Sequence, residues 1–225
     1  MQCRLALALV SALAAQDPAP GPAKPLTLEL RVFNGTEEVT AQSKNTVHRP
    51  GDHGEPLLHA NPAAGLVKVQ VPAGIYDVQA IHEREGRVLN IRWANRLVVM
   101  PYPDEPDQHL EVINFKTGFG ALQVRVAAGG RPDVAIYEVG NRLKPVAAPI
   151  TTSTYVLFVV RAGVYDLLAR NAGASTWHAA IDVPVDRTRL WVVPDVPSPT
   201  DGAPFVESAA PPAVLSAARP APTRS

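Results

Sequence analysis

From residue 26 the chain alternates: Leu26, Leu28, Leu30 and Val32 fall on one side, and Thr27, Glu29 and Arg31 on the other. That period of two predicts a half-buried strand whose polar side faces water. The pattern returns at Leu122, Val124 and Val126 with Gln123 and Arg125 opposite, so even the outward arginine recurs. Residues 66–71 alternate Val67, Val69 and Val71 against Lys68 and Gln70, and Pro72-Ala73-Gly74 then leads into Tyr76, Val78 and Ala80. Two alternating runs around a Gly turn predict a hairpin. Val156, Phe158, Val160, Gly163, Tyr165, Leu167 and Ala169 repeat it. Trp93, Leu97 and Val99 mark a further strand, with residues 109–115 as a last one; Trp177, Ile181, Val183 and residues 189–193 are their counterparts.

Gly74-Ile75-Tyr76-Asp77-Val78-Gln79-Ala80 and Gly163-Val164-Tyr165-Asp166-Leu167-Leu168-Ala169 lie 89 positions apart. A β-sandwich domain takes about 100 residues. The predicted fold is therefore all-β: two tandem antiparallel β-sandwich domains, 26–116 and 119–195, joined at Thr117-Gly118. Between the copies the offset falls from 94 to 89 to 84 to 80, so strands persist while loops shorten. A second alignment pairs residues 96–101 with 189–194, and the sequence leaves both open. Residues 34–65 carry the least pattern, with one short strand expected at 38–42.

The ends have a different composition. Arg4, an apolar run over residues 5–10 and Ala12-Leu13-Ala14 have the order of a cleaved secretory signal, 1–15, which predicts a periplasmic or secreted protein. The run is too short for a membrane span, which needs about 18 apolar residues. Cys3 precedes the run, whereas a lipidated cysteine would follow it, and the mature chain then holds no cysteine. Without disulfides, packing alone must hold the exported chain together. Residues 16–25 read as a Pro-rich linker, and 196–225 as a disordered Pro/Ala-rich tail. The 21 basic and 21 acidic residues balance, and the basic ones are scattered, which predicts no nucleic-acid partner.

The segments Val69-Gln70-Val71-Pro72-Ala73-Gly74-Ile75-Tyr76-Asp77-Val78 and Phe158-Val159-Val160-Arg161-Ala162-Gly163-Val164-Tyr165-Asp166-Leu167 resemble prealbumin-like sandwiches, of which carboxypeptidase regulatory-like and adhesin B-type repeats of secreted bacterial proteins are examples. Immunoglobulin-like folds share such strands. The resemblance implies a non-enzymatic role in spacing, adhesion, or protein or carbohydrate binding. The Lys to Asn isopeptide bond of adhesin repeats has no placed counterpart here.

Little in the sequence carries catalytic chemistry. His48, Asp52, His53 and His59 offer zinc-ligand types in one loop, and a metal-dependent hydrolase would have to use them, but their spacing fits no paired-ligand turn. Asp104, Glu105 and Asp107 lack the ligand spacing of a calcium loop. Ser175, His178 and Asp182 have triad residue types without a nucleophile turn. No catalytic residue and no cofactor is expected, and Asp77 and Asp166 are expected to point outward. Trp93, Tyr102, Trp177 and Trp191 are candidates for stacking on sugar, against the reading that the paired Trp93 and Trp177 are core. Where the first copy has outward Lys68, Gln70 and Gln79, the second has Leu157, Val159 and Leu168. That apolar face predicts docking on the first domain, on a second copy or on a protein partner.

Overall fold

The computed structural model describes residues 24–103, 105–126, 132–171 and 174–193. The signal segment, residues 16–23 of the linker, Asp104 and the tail lie outside these. Apart from a 3-10 turn at Thr40–Gln42, the regular structure of the described residues is all β. The first eight strands are β1 (Leu26–Asn34), β2 (Glu37–Glu38), β3 (Ser43–His48), β4 (Leu58–His59), β5 (Val67–Val71), β6 (Gly74–Arg84), β7 (Arg87–Val99) and β8 (Gln108–Asn114). The remainder are β9 (Phe119–Val126), β10 (Asp133–Glu138), β11 (Ile150–Thr151), β12 (Val156–Arg161), β13 (Gly163–Asn171), β14 (Ala174–Val183) and β15 (Thr188–Val193).

They form four sheets. In the first, β1 pairs antiparallel with β2 and β5 and parallel with β8; the second runs β4-β3-β6-β7. The third runs β11-β12-β9-β15, with β15 parallel to β9, and the fourth β10-β13-β14. Leu28, Leu30, Val67 and Ile113 of the first sheet share a core with Val47, Val78, Ala80 and Leu97 of the second. Leu122, Val124 and Phe158 likewise meet Ile136, Leu167 and Ile181. Each half of the chain thus makes a sheet pair consistent with a β-sandwich. Leu28 lies opposite Val69 and His109, as Leu122 lies opposite Phe158 and Arg189. The place of β8 is therefore taken in the second pair by β15, whereas residues 96–99 end β7 and have no such role.

The Gly-Tyr segments are not hairpins. β5 and β6 belong to different sheets, as do β12 and β13. The chain arches from one layer to the other, so the apolar sets of the two strands face each other across the core; a hairpin would leave them side by side with no opposing layer. Tyr76 Oη donates to the Pro72 carbonyl at 2.8 Å, and Tyr165 Oη to the Arg161 carbonyl at 2.6 Å, clamping each arch at its base. Tyrosine corners of sandwich folds work the same way. Hairpins join β6 to β7 and β13 to β14 instead; in the first, the turn residues Glu85 and Gly86 have φ of 53° and 74°, as a type I′ turn requires. The strand expected at 38–42 lies at 43–48 instead. Its buried positions include Ser43 and Asn45, whose polarity hid the alternation; the Asn45 amide bonds Ser43 Oγ and the Ala60 carbonyl.

The polar side of β1 and β9 does not face water. Glu29, Arg31, Gln123 and Arg125 are buried, because the outer face of the first sheet packs on the outer face of the third. Phe33, Leu110 and Val112 there meet Phe119, Ala121, Tyr155, Leu157 and Val159. Burying each large apolar side chain contributes roughly 1.5–3 kcal/mol. Several polar groups within the layer find partners across it, while Arg31 pairs with Glu38 of its own sheet at 2.9 Å. Tyr155 Oη donates to Glu29 Oε1 at 2.6 Å, the Val112 N–H donates to Thr188 Oγ1 at 2.8 Å, and Arg125 pairs with Glu105 at 2.6 Å. The Tyr102 hydroxyl lies 2.9 Å from the Gln123 carboxamide. Burial, then the bond to Glu29 and its charge, push the Tyr155 hydroxyl well above the ordinary tyrosine range, so it stays a donor.

Gly120 admits no side chain: a Cβ there would sit 2.0 Å from the Pro184 carbonyl oxygen. Gly120→Ala is expected to cost about 3 kcal/mol or more of stability in urea denaturation, at the upper end of overpacking effects. Tyr155→Phe, which strips a charged acceptor of its donor, should cost about 1.5–3 kcal/mol in the same measurement.

Candidate functional site

Asp77 and Asp166, expected to face outward, are buried. Each follows the arch tyrosine at a register shift against the next strand. Asp77 accepts the Arg96 N–H at 2.7 Å, the Gly51 N–H at 2.8 Å and His53 Nε2 at 3.0 Å. Asp166 accepts the Ala180 N–H at 3.2 Å and the Gly140 N–H at 3.3 Å. Arg96 and Ala180 have φ of 55° and 58°, and Gly51 and Gly140 both 76°. In both halves the aspartate ties the same two irregular points, a strand bulge and the loop after the third strand or its counterpart. Bulges leave N–H groups out of the ladder, and a short acidic side chain satisfies them.

The paired tryptophans complete the device rather than the core. Trp93 and Trp177 are half-buried on the outer faces of their sheets, opposite Gln79 and Leu168. His53 stacks on Trp93 with ring centroids 3.9 Å apart, and His48 meets it edge-on at 4.9 Å. The Arg142 guanidinium lies 4.2 Å from the Trp177 ring centre, and Tyr137 packs beside it at 5.1 Å. Each loop that the aspartate bonds thus lays a flat nitrogenous group on the tryptophan.

The other sequence candidates separate. Among the described residues no three His, Cys, Asp or Glu side chains converge as a metal site. His48 Nε2 bonds Thr46 Oγ1, Asp52 accepts the Gly54 N–H, and His59 is exposed on β4. Ser175 and His178, an odd number of residues apart on β14, point to opposite faces, and Asp182 pairs with Arg189. Tyr102 is buried at the contact with the second half, and Trp191 packs on that half's core. Leu157 and Val159 lie in the layer between the sheet pairs. Leu168 does not share their face: it is buried on β13, in the other sheet.

A cavity of about 230 Å³ opens where β7 and β8 meet the turn before β15. Its walls include Arg92, Ala94, Asn95, Val112, Ile113, Val185, Asp186 and Arg187. Arg92 Nη2 reaches Asp186 Oδ1 at 2.7 Å, and both Arg187 terminal nitrogens donate to the Asn95 carbonyl at 3.3 and 3.4 Å. Residues some 90 positions apart carry no spacing signal, so the sequence alone does not mark this place.

No family model and no curated protein matches the chain. Among solved structures, the Bacillus anthracis TIE protein matches 76% of this chain at 14% identity and a TM-score of 0.31; the match spans 34% of that protein. A family 26 carbohydrate-binding module of Eubacterium rectale Amy13K, solved in complex with maltoheptaose, matches 76% of this chain and 92% of its own at 10% identity and a TM-score of 0.25. Likeness at that level does not inform the chemistry.

The aspartate device predicts a pH dependence. Burial works against ionisation of Asp77, but the N–H groups of Arg96 and Gly51 and the His53 contact outweigh it and hold the carboxyl below its ordinary range. A carboxylate with a depressed folded-state value contributes stability that is present above about pH 4 and lost as pH falls through that lower value. Denaturation midpoints measured from pH 6 downwards should therefore fall more steeply in the parent than in Asp77→Asn. Asp77→Ala, which leaves the N–H groups without an acceptor, should lose about 1–3 kcal/mol at neutral pH.

Proposed function

We propose that the protein is an exported, non-enzymatic interaction or scaffold module, made of two tandem β-sandwich domains of one prealbumin-like plan. The observation that supports this is the layer between the sheet pairs, with Phe33, Leu110 and Val112 against Leu157 and Val159 and with Glu29 bonded to Tyr155. Such a contact fixes two modules as one rigid unit and holds their outer sheets in a set relation, which is what a spacer or scaffold requires. Carbohydrate stacking has less support, because His53 and Arg142 already lie against the two paired tryptophans. Export rests on the Arg4 to Ala14 signal pattern, with the mature chain starting at Ala15 or Gln16.

Solution scattering and cross-linking in the native host test the proposal. The parent should scatter as one rigid particle and be cross-linked to a defined protein partner outside the cytoplasm. Leu157→Asp, which puts a carboxylate into the layer, should release that partner. Recovery of no partner, or unchanged recovery by a variant whose two halves scatter as independent bodies, would overturn the reading.

A further inference from the structure

We propose that the junction cavity is a binding site for a small carboxylate. Both halves of the chain supply its walls, so it exists only while they are docked and rests on the rigid arrangement proposed above. Its charge is unbalanced. Arg92 is neutralised by Asp186 at 2.7 Å, whereas Arg187 pairs with no carboxylate among the described residues. The Arg187 fork is instead spent on one neutral oxygen, the Asn95 carbonyl, at 3.3 and 3.4 Å. A carboxylate brings the opposite charge that a backbone carbonyl lacks, accepts the planar guanidinium fork in two parallel bonds and shortens them to about 2.7–2.9 Å, so an entering carboxylate displaces that long contact favourably.

The site is held in place before any ligand arrives. The Asp186 N–H donates to the Phe119 carbonyl at 2.8 Å, and the Arg187 carbonyl accepts the Ala121 N–H at 3.0 Å, which fixes the turn on both sides of its two charged groups. Preorganisation of this kind lowers the ordering cost of binding. At about 230 Å³ the cavity is smaller than the roughly 300–1,000 Å³ pockets that hold drug-sized ligands, which limits it to one small unit. Buried Val112 and half-exposed Val185 give the cavity an apolar side. A ligand that fits is a single acidic unit with an apolar face, either a sugar acid or the terminal residue of a peptide.

Calorimetric titration of the full chain decides this, with sodium glucuronate and N-acetylalanine as probes and glucose as the neutral control, at constant ionic strength. At least one carboxylate should bind one to one while glucose does not; glucuronate alone identifies a sugar acid, and N-acetylalanine alone a peptide end. Arg187→Gln should weaken binding at least about tenfold. Asp186→Asn, which frees Arg92 and removes a like charge, should bind as tightly or more tightly. Absence of binding by both acids up to millimolar concentration, glucose binding equal to glucuronate, unchanged affinity in Arg187→Gln, or loss of affinity in Asp186→Asn would each overturn the site. Scattering of the same samples reports the docking of the two halves separately, so failure of the site and failure of the rigid arrangement are told apart.

Discussion

Everything in this molecule depends on how the polar faces of β1 and β9 are buried. Each strand carries its apolar side into its own core and its polar side into the contact with the other half. A buried charge without a partner costs several kcal/mol, so the contact is tolerable only when the groups meet partners there. Glu29 finds the Tyr155 hydroxyl and Lys68, Arg31 finds Glu38, and Arg125 finds Glu105. Apolar association alone would tolerate sliding of one sheet over the other. Directional bonds from Tyr155 to Glu29 and from Val112 to Thr188 select one register between the halves.

The recurring Gly-x-Tyr-Asp segment is a folding device, and each of its residues has a separate task. The glycine begins the strand beyond the arch, the tyrosine hydroxyl closes the arch, and the aspartate ties the bulge to the neighbouring loop. Two uses of this device in one chain follow from the same need: a chain that changes layers leaves backbone N–H groups unpaired. Tryptophan then settles the loop from outside. The repeated motif is, in both places, the means by which a sheet pair without disulfides keeps its irregular parts fixed.

Period-two alternation made the all-β class, the places of most strands and the inward residues legible. It could not distinguish hairpin from arch, since Val67 to Ala80 alternates identically whether the two strands share a sheet or face each other across a core. It also read Glu29, Arg31, Gln123 and Arg125 as solvent-facing, because a polar residue paired in a buried layer and one in water look alike in sequence. Leu157 and Val159 stood out for the opposite reason: apolar residues on an outer face need a cover, and here Phe33, Leu110 and Val112 supply it. The cavity had no sequence signal, because Arg92 belongs to β7 and Arg187 to the turn before β15, which meet only through this layer.

Comparison of the two halves shows what opens the cavity beside the first. Ala94 lies opposite Val78 on β7, and His178 occupies the matching place opposite Leu167 on β14. Glu111 lies opposite Leu30 on β8, and Trp191 the matching place opposite Val124 on β15. In the second half the two large rings meet, with centroids 6.0 Å apart, and fill the edge between the sheets. In the first half the methyl group of Ala94 leaves that edge open, and Glu111 turns to His109 at 3.1 Å. The gap would be a plain packing defect if solvent alone bordered it. Instead the turn of residues 185–187 closes it from the other half and brings Asp186 and Arg187 to its rim. A small side chain at one repeated position, together with the register imposed by the buried polar layer, turns an edge of the fold into an open-sided charged site.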